Sequence, residues 1–217
     1  MWITATGCAL GLAAGMRHAL EPDHLAAVSA LVTSNREGEG SLGPKVVTRY
    51  AAAWGAGHAL VLVLVGAALF AARASMPERL SDAFELLVAL MLVVLGARGL
   101  RRHGVRHAHP HAGADRSTGA LPFVVGLTHG LAGSGALVAA IGAAQPSPAL
   151  GLFTMALYGV GAGLGMVLLA GVFGLTLGRA ASGKAKVLGG LSVATSLASV
   201  VLGIAWGAPI VQRLAGA

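Results

Sequence analysis

Long apolar runs follow one another along the chain, and polar residues gather in short stretches between them. A helix needs roughly 20 apolar residues to cross a bilayer. The runs are read that way rather than as strands or as amphipathic helices of a soluble core. The pattern predicts six membrane segments, at 5–33, 50–72, 82–100, 121–144, 150–178 and 187–210. Polar loops separate them at 34–49, 73–79, 101–120, 145–148 and 179–186. The expected fold is an all-α integral membrane protein with six transmembrane helices.

In the middle of the first segment the pattern fails. Gly15-Met16-Arg17-His18-Ala19-Leu20-Glu21-Pro22-Asp23-His24 sets formal charges on Arg17, Glu21 and Asp23, and two histidines, where apolar residues belong. One charge at the centre of a membrane helix costs about 2.5–3.5 kcal/mol on insertion scales, so three cost roughly 8–10 kcal/mol if nothing compensates. Pro22 has no N–H for the carbonyl of His18, and it pushes Glu21 away from the helical region. The first helix is expected to break at Pro22, over residues 19–22. A new helix would start near Asp23, whose carboxylate suits an N-terminus. An unbroken helix, at about 100° per residue, would spread His18, Asp23 and His24 around its circumference. A break lets them converge. Imidazole and carboxylate together suit Ni, Co, Cu or Zn, with no sulfur in the set.

The second half resembles the first. Gly15-Met16-Arg17-His18-Ala19-Leu20 aligns with Gly126-Leu127-Thr128-His129-Gly130-Leu131, so that the histidines coincide. Asp23 then falls opposite Ser134, and His24 opposite Gly135. Gly55-Ala56-Gly57 is set against Gly161-Ala162-Gly163, and Val93-Val94-Leu95-Gly96 against Val200-Val201-Leu202-Gly203. Each unit has an odd number of spans, so the second copy is expected to be inverted in the membrane. The domain reading is a first three-helix repeat at 1–100, a histidine-rich loop at 101–120, and a second three-helix repeat at 121–217.

Composition agrees with a membrane protein: the 217 residues are 56% hydrophobic and 11% charged, and 33 are glycine, which lets membrane helices approach closely. The net charge of +7 would suggest nucleic acid in a soluble protein, but the basic residues lie in loops, so no nucleic-acid partner is expected. Loops one, three and five, counted with Arg98 at the edge of the third, carry eleven Lys and Arg, against three on the other side. By the positive-inside rule, loops 34–49, 101–120 and 179–186 are expected in the cytoplasm and both termini outside. Met1-Trp2-Ile3-Thr4 lacks the basic start of a signal peptide, so the first segment is read as retained. Cys8 is the only cysteine, which excludes an internal disulfide, a Cys-x-x-Cys redox pair and a thiolate metal cluster.

His18-x4-Asp23-His24 resembles the signature of the nickel/cobalt transporter family, whose members carry His-x4-Asp-His in a membrane helix essential for metal transport. Gly57-His58-Ala59 resembles the family's Gly-His in the next membrane helix. His129-Gly130-Leu131-Ala132-Gly133-Ser134-Gly135 looks like the six-span members related to urease-accessory nickel permeases. The resemblance covers all six spans, although its specific part is confined to these motifs. The peripheral helices of longer members have no counterpart here.

The resemblance implies transport of Ni2+ or Co2+ across the cytoplasmic membrane, with uptake as the favoured direction. The implied metal ligands are His18, Asp23, His24, His58 and His129, with His129 open between a ligand, a gate and a buried core histidine. The ion is substrate; no organic cofactor and no enzymatic step are expected. The expected partners are the metal ion, the bilayer and a cytoplasmic metal acceptor. Related members with histidine-rich loops export, so efflux by the same fold is the alternative.

Other residues allow further readings. Arg17 and Glu21 have the i, i+4 spacing of an ion pair if that turn stays helical. His103, His107, His109 and His111 make the third loop a loose metal binder or a solvated basic linker. Ser134 with His129 could serve an intramembrane serine hydrolase, but five residues apart on one segment they form a dyad only if the helix breaks. No Gly-x4-Gly-Lys-Ser/Thr occurs, so energy is expected from a gradient or a partner protein.

Overall fold

The computed structural model describes residues 2–36, 44–104, 120–132, 134–180 and 185–216. Among these, every regular element is helical: α1 (Trp2–His18), α2 (Pro22–Arg36), α3 (Pro44–Ala72), α4 (Glu78–Gly104), α5 (Ala120–Gly130), α6 (Ser134–Ala143), α7 (Pro148–Ala180) and α8 (Ala185–Ala215). Most of the predicted third loop, with His107, His109 and His111, lies outside the described residues, as does the side chain of His103.

Among the described residues, four helices hold stretches long and apolar enough to cross a membrane: Val47–Ala72, Glu78–Arg101, Pro148–Phe173 and Gly189–Ala215. At about 1.5 Å per residue, their 24–27 residues exceed the ~30 Å of a bilayer's hydrocarbon core. The molecule is apolar on the outside: Leu10, Leu64, Leu152, Leu168 and Val201 all project outward. These features mark a multi-pass membrane protein. The predicted first and fourth segments are each split, into α1 and α2 and into α5 and α6. The second split had not been expected from the sequence.

The first break falls where predicted but is one residue shorter, at 19–21 rather than 19–22, with Pro22 opening α2 rather than sitting in the gap. Proline is well placed there, since the first residue of a helix has no use for its N–H. The carbonyl of His18 is not orphaned, because Glu21 N–H donates to it at 3.0 Å. Leu20 N–H likewise donates to the carbonyl of Arg17 at 2.9 Å, closing α1 with a tight turn. Glu21 caps α2, its carbonyl accepting from Leu25 N–H at 3.0 Å. At the end of α3, Arg73 takes a left-handed φ of 51°, and Ala74 N–H reaches back to the carbonyl of Leu69. This is a helix stop usually made by glycine.

Glycines fix which helices touch and in what direction. A Cβ on Gly15 would overlap the carbonyl oxygen of Tyr158 and lie 2.9 Å from Ala162 N, while one on Gly161 would overlap the carbonyl oxygen of Leu12. With Gly11 against Thr154 and Gly165 against Met16 and Ala19, α1 and α7 run parallel. Gly57 faces Phe123 and Leu127, Gly126 faces Trp54 and His58, and Gly130 faces Val61, so α3 and α5 also run parallel. Gly55 against Gly163, Gly159 against Ala59, and Gly66 against Met155 make α3 and α7 antiparallel. Gly96 against Ser196 and Val200, and Gly203 against Ala89 and Val93, make α4 and α8 antiparallel. It follows that α1 and α5 oppose each other as well.

The contacts are reciprocal in register. Gly15 meets Tyr158 and Ala162 as Gly126 meets Trp54 and His58. Trp54-Gly55-Ala56-Gly57-His58 therefore corresponds to Tyr158-Gly159-Val160-Gly161-Ala162. The pairing of Gly55-Ala56-Gly57 with Gly161-Ala162-Gly163 read from the sequence is two residues out of register. Gly96 meets Ser196 and Val200 as Gly203 meets Ala89 and Val93. Reciprocity stops at the second half-helices: α2 packs on α4, α7 and α8, whereas α6 lies against α3 and α7.

Candidate metal centre

The two breaks and the middle of α3 meet inside the helix bundle. His18 is the last residue of α1, and Asp23 and His24 lie in the first turn of α2. His58 sits near the middle of the Val47–Ala72 stretch, and His129 is in the last turn of α5. The break brings together side chains that a continuous helix would have spread apart. All five predicted residues are buried, with exposures of 6, 5, 1, 0 and 1% for His18, Asp23, His24, His58 and His129.

Asp23 links two segments. Its Oδ1 lies 3.0 Å from His24 Nδ1 and its Oδ2 lies 2.8 Å from His129 Nε2. The ring nitrogens His18 Nε2 and His58 Nε2 are 3.1 Å apart. His24 is the centre of the cluster: its ring centroid is 4.6 Å from that of His18, 4.9 Å from His58 and 4.2 Å from His129. Among the described residues, two groups of three are close enough to hold an ion, His18 with His24 and His58, and Asp23 with His24 and His129, each with ligand atoms within 4.8 Å of one another.

The environment suits a cation. The C-terminal ends of α1 and α5, which carry the negative pole of the helix dipole, lie at His18 and at Gly130, next to His129. Asp23 supplies a formal negative charge, held at the positive pole of α2. His18 Nδ1, His24 Nε2, His58 Nδ1 and His129 Nδ1 are buried without a hydrogen-bond partner. An unsatisfied buried polar group costs about 1–3 kcal/mol. Four in one cluster are hard to explain as packing, and an ion coordinated by some of them would offset part of that cost.

Two aromatic residues that sequence reasoning passed over line the cluster. The Trp54 ring centroid lies 6.0 Å from that of His24 and 5.7 Å from that of His129, and the Tyr158 centroid lies 5.8 Å from that of His18. Their polar heads, Trp54 Nε1 and Tyr158 OH, are also buried without partners. A signal was present: Trp54-Gly55 and Tyr158-Gly159 are the matching aromatic–glycine pairs of α3 and α7, legible once the register is right. Around the cluster, Trp54 belongs to one apolar core with Leu92 and Met166, and Tyr158 to another with Leu62 and Met155.

Glu21 does not pair with Arg17. Its Oε2 lies 3.0 Å from His18 Nδ1, close enough for an ion pair but off the line needed for a hydrogen bond. The Glu21 side chain is half exposed, and Arg17, Leu20 and Pro22 beside it are exposed too. The side chain of Ser134 lies outside the described residues.

No family model matches the chain, and no solved structure matches it. The chain is 28% identical over 206 residues to the urease accessory protein UreH of Bacillus sp. (strain TB-90), an alignment that covers 90% of this chain and 87% of the relative. The likeness thus extends over most of the length of both proteins.

Proposed function

We propose that this protein moves Ni2+, or Co2+, across the cytoplasmic membrane, in the direction of uptake, through the cluster of His18, Asp23, His24, His58 and His129. The observation that carries the reading is the convergence of these five side chains, from three separate segments, at mid-depth in a bundle of membrane-crossing helices. Broken helices that leave half-helix ends and ionisable groups facing an ion are a recurring transporter plan. The set of four imidazoles and one carboxylate suits Ni2+ and Co2+. Likeness to a urease accessory protein adds to the case for nickel, as does the resemblance of the His-x4-Asp-His stretch to nickel permeases. The ion is cargo, no organic cofactor takes part, and a cytoplasmic acceptor receives it.

The architecture proposed with this function is six spans, the two split segments each counting as one, in two inverted units at 1–100 and 121–217. The antiparallel relations of α1 with α5, α3 with α7 and α4 with α8, and the reciprocal glycine contacts, support it. Loops 34–49, 101–120 and 179–186 face the cytoplasm. Single cysteines placed in 34–49 and 101–120 of a Cys8→Ser background should label from the same side; labelling from opposite sides would overturn this topology.

The test of function is 63Ni accumulation in cells with and without the protein. Raised accumulation means uptake, lowered accumulation means export by the same site, and no change at verified membrane expression overturns the transport reading.

A further inference from the structure

We infer that the cluster is two overlapping three-ligand positions that share His24 and hold one ion in turn, a first position of His18, His24 and His58 and a second of Asp23, His24 and His129. This rests on the transport reading above and deepens it.

The geometry separates the two. His18 and His58 approach each other through their Nε2 atoms at 3.1 Å, whereas Asp23 turns both its oxygens the other way, to His24 and His129. Ring contacts join His18 to His24 and to His58, and join His129 to His24 and to His58, but none joins His18 to His129. The two groups with compatible ligand spacing have only His24 in common. Both need that one side chain, and two dications a few ångströms apart repel strongly in a buried site, so a single ion occupies one position at a time.

The positions also differ in what they tie together. His18, His24 and His58 all belong to the first three long segments of the chain. Asp23, His24 and His129 join α2 to α5. An ion in the first position rests on one half of the molecule, next to the half-exposed Glu21 that lies 3.0 Å from His18 Nδ1. An ion in the second position bridges both halves, away from Glu21. Passing between them by exchange of ligands around His24 makes the hold on the ion depend on how the halves sit against each other. The second half cannot supply a mirror-image site, because the residues corresponding to Asp23, His24 and His58 are Ser134, Gly135 and Ala162.

The test is Ni2+ binding to purified protein in detergent, by calorimetry, with X-ray absorption counting the bound imidazoles. Wild type should bind one ion. His58→Ala should bind Ni2+ with a few-fold loss and two histidines, those of the second position, and His129→Ala with a few-fold loss and three histidines. The double variant should lose far more than the product of the single losses, because neither position keeps its three ligands. A single five-residue site instead leaves three histidines on the ion in His58→Ala and gives losses that multiply independently, and that result would overturn the two positions while leaving the transport reading intact. If wild type binds no Ni2+, both fall. The imidazole count in His58→Ala is read on a protein that still binds, so loss of folding cannot imitate it.

Discussion

Asp23 and His129 stand 106 residues apart in the chain, yet Asp23 Oδ2 and His129 Nε2 are 2.8 Å apart. The same carboxylate holds His24 through its other oxygen. A carboxylate that accepts from two imidazoles fixes which ring nitrogens face each other and which are left for an ion. Asp23→Asn keeps the shape and removes the charge that offsets a divalent cation's desolvation. It should reduce 63Ni transport at least tenfold while the protein still inserts and melts within a few degrees of wild type. Normal transport by Asp23→Asn would remove the carboxylate from the site.

Glu21 approaches His18 Nδ1 at 3.0 Å rather than pairing with Arg17, and under the transport reading it would meet the ion first. Glu21→Gln should raise the Ni2+ concentration for half-maximal transport several-fold, with a smaller effect on the maximal rate, because a carboxylate at an entrance concentrates cations. Arg17→Ala should not be rescued by adding Glu21→Gln. Rescue at matched expression would restore the ion pair that the i, i+4 spacing suggested.

The close crossings of α1 on α7 and of α5 on α3 make Gly15 and Gly126 intolerant of any side chain. Gly15→Ala and Gly126→Ala force apart backbones that hold the site, at a cost of about 1–3 kcal/mol for overpacking. Gly171→Ala and Gly190→Ala make a matched control, since a Cβ at either position meets nothing within 4 Å. Those two should be neutral or stabilising by up to about 1 kcal/mol, as expected for Gly to Ala inside a helix. Thermal unfolding of the four variants in detergent decides it, and equal behaviour of the two pairs would mean the crossings are looser than described.

The cluster was legible in the sequence because chemistry there contradicts its surroundings. Charges and histidines in an apolar run carry a cost that only a partner explains, and Pro22 announced the break. What the sequence blurred was backbone detail. Pro22 reads equally as a kink or as the first residue of a new helix, and only the bond from Glu21 N–H to the carbonyl of His18 distinguishes them. The break between α5 and α6 has no proline at all; Gly130, Gly133 and Gly135 were visible but glycine is common throughout this chain. The register of α3 against α7 was misread for the same reason, since Gly-x-Gly occurs at both 159–161 and 161–163. Trp54 and Tyr158 were missed because an aromatic residue in a membrane helix is ordinarily a packing residue.

His24 offers the most severe test, since its ring lies nearest to all three other imidazoles and either ligand group needs it. Replacing His18 or His58 removes one candidate ligand from the group that contains it, and replacing His129 removes one from the other. The sequence alone ranks His129 behind the rest, but its 2.8 Å approach to Asp23 raises it to the level of His58. Removing His24 strips both groups at once and frees Asp23 Oδ1. His24→Ala should therefore abolish 63Ni transport and Ni2+ binding together, while His18→Ala, His58→Ala and His129→Ala lose most transport and keep measurable binding. The truncation also leaves a cavity, which costs stability of its own, so membrane expression and melting are compared alongside. If His24→Ala carries nickel normally at wild-type expression, the buried histidines are structural and the passage for the ion lies elsewhere.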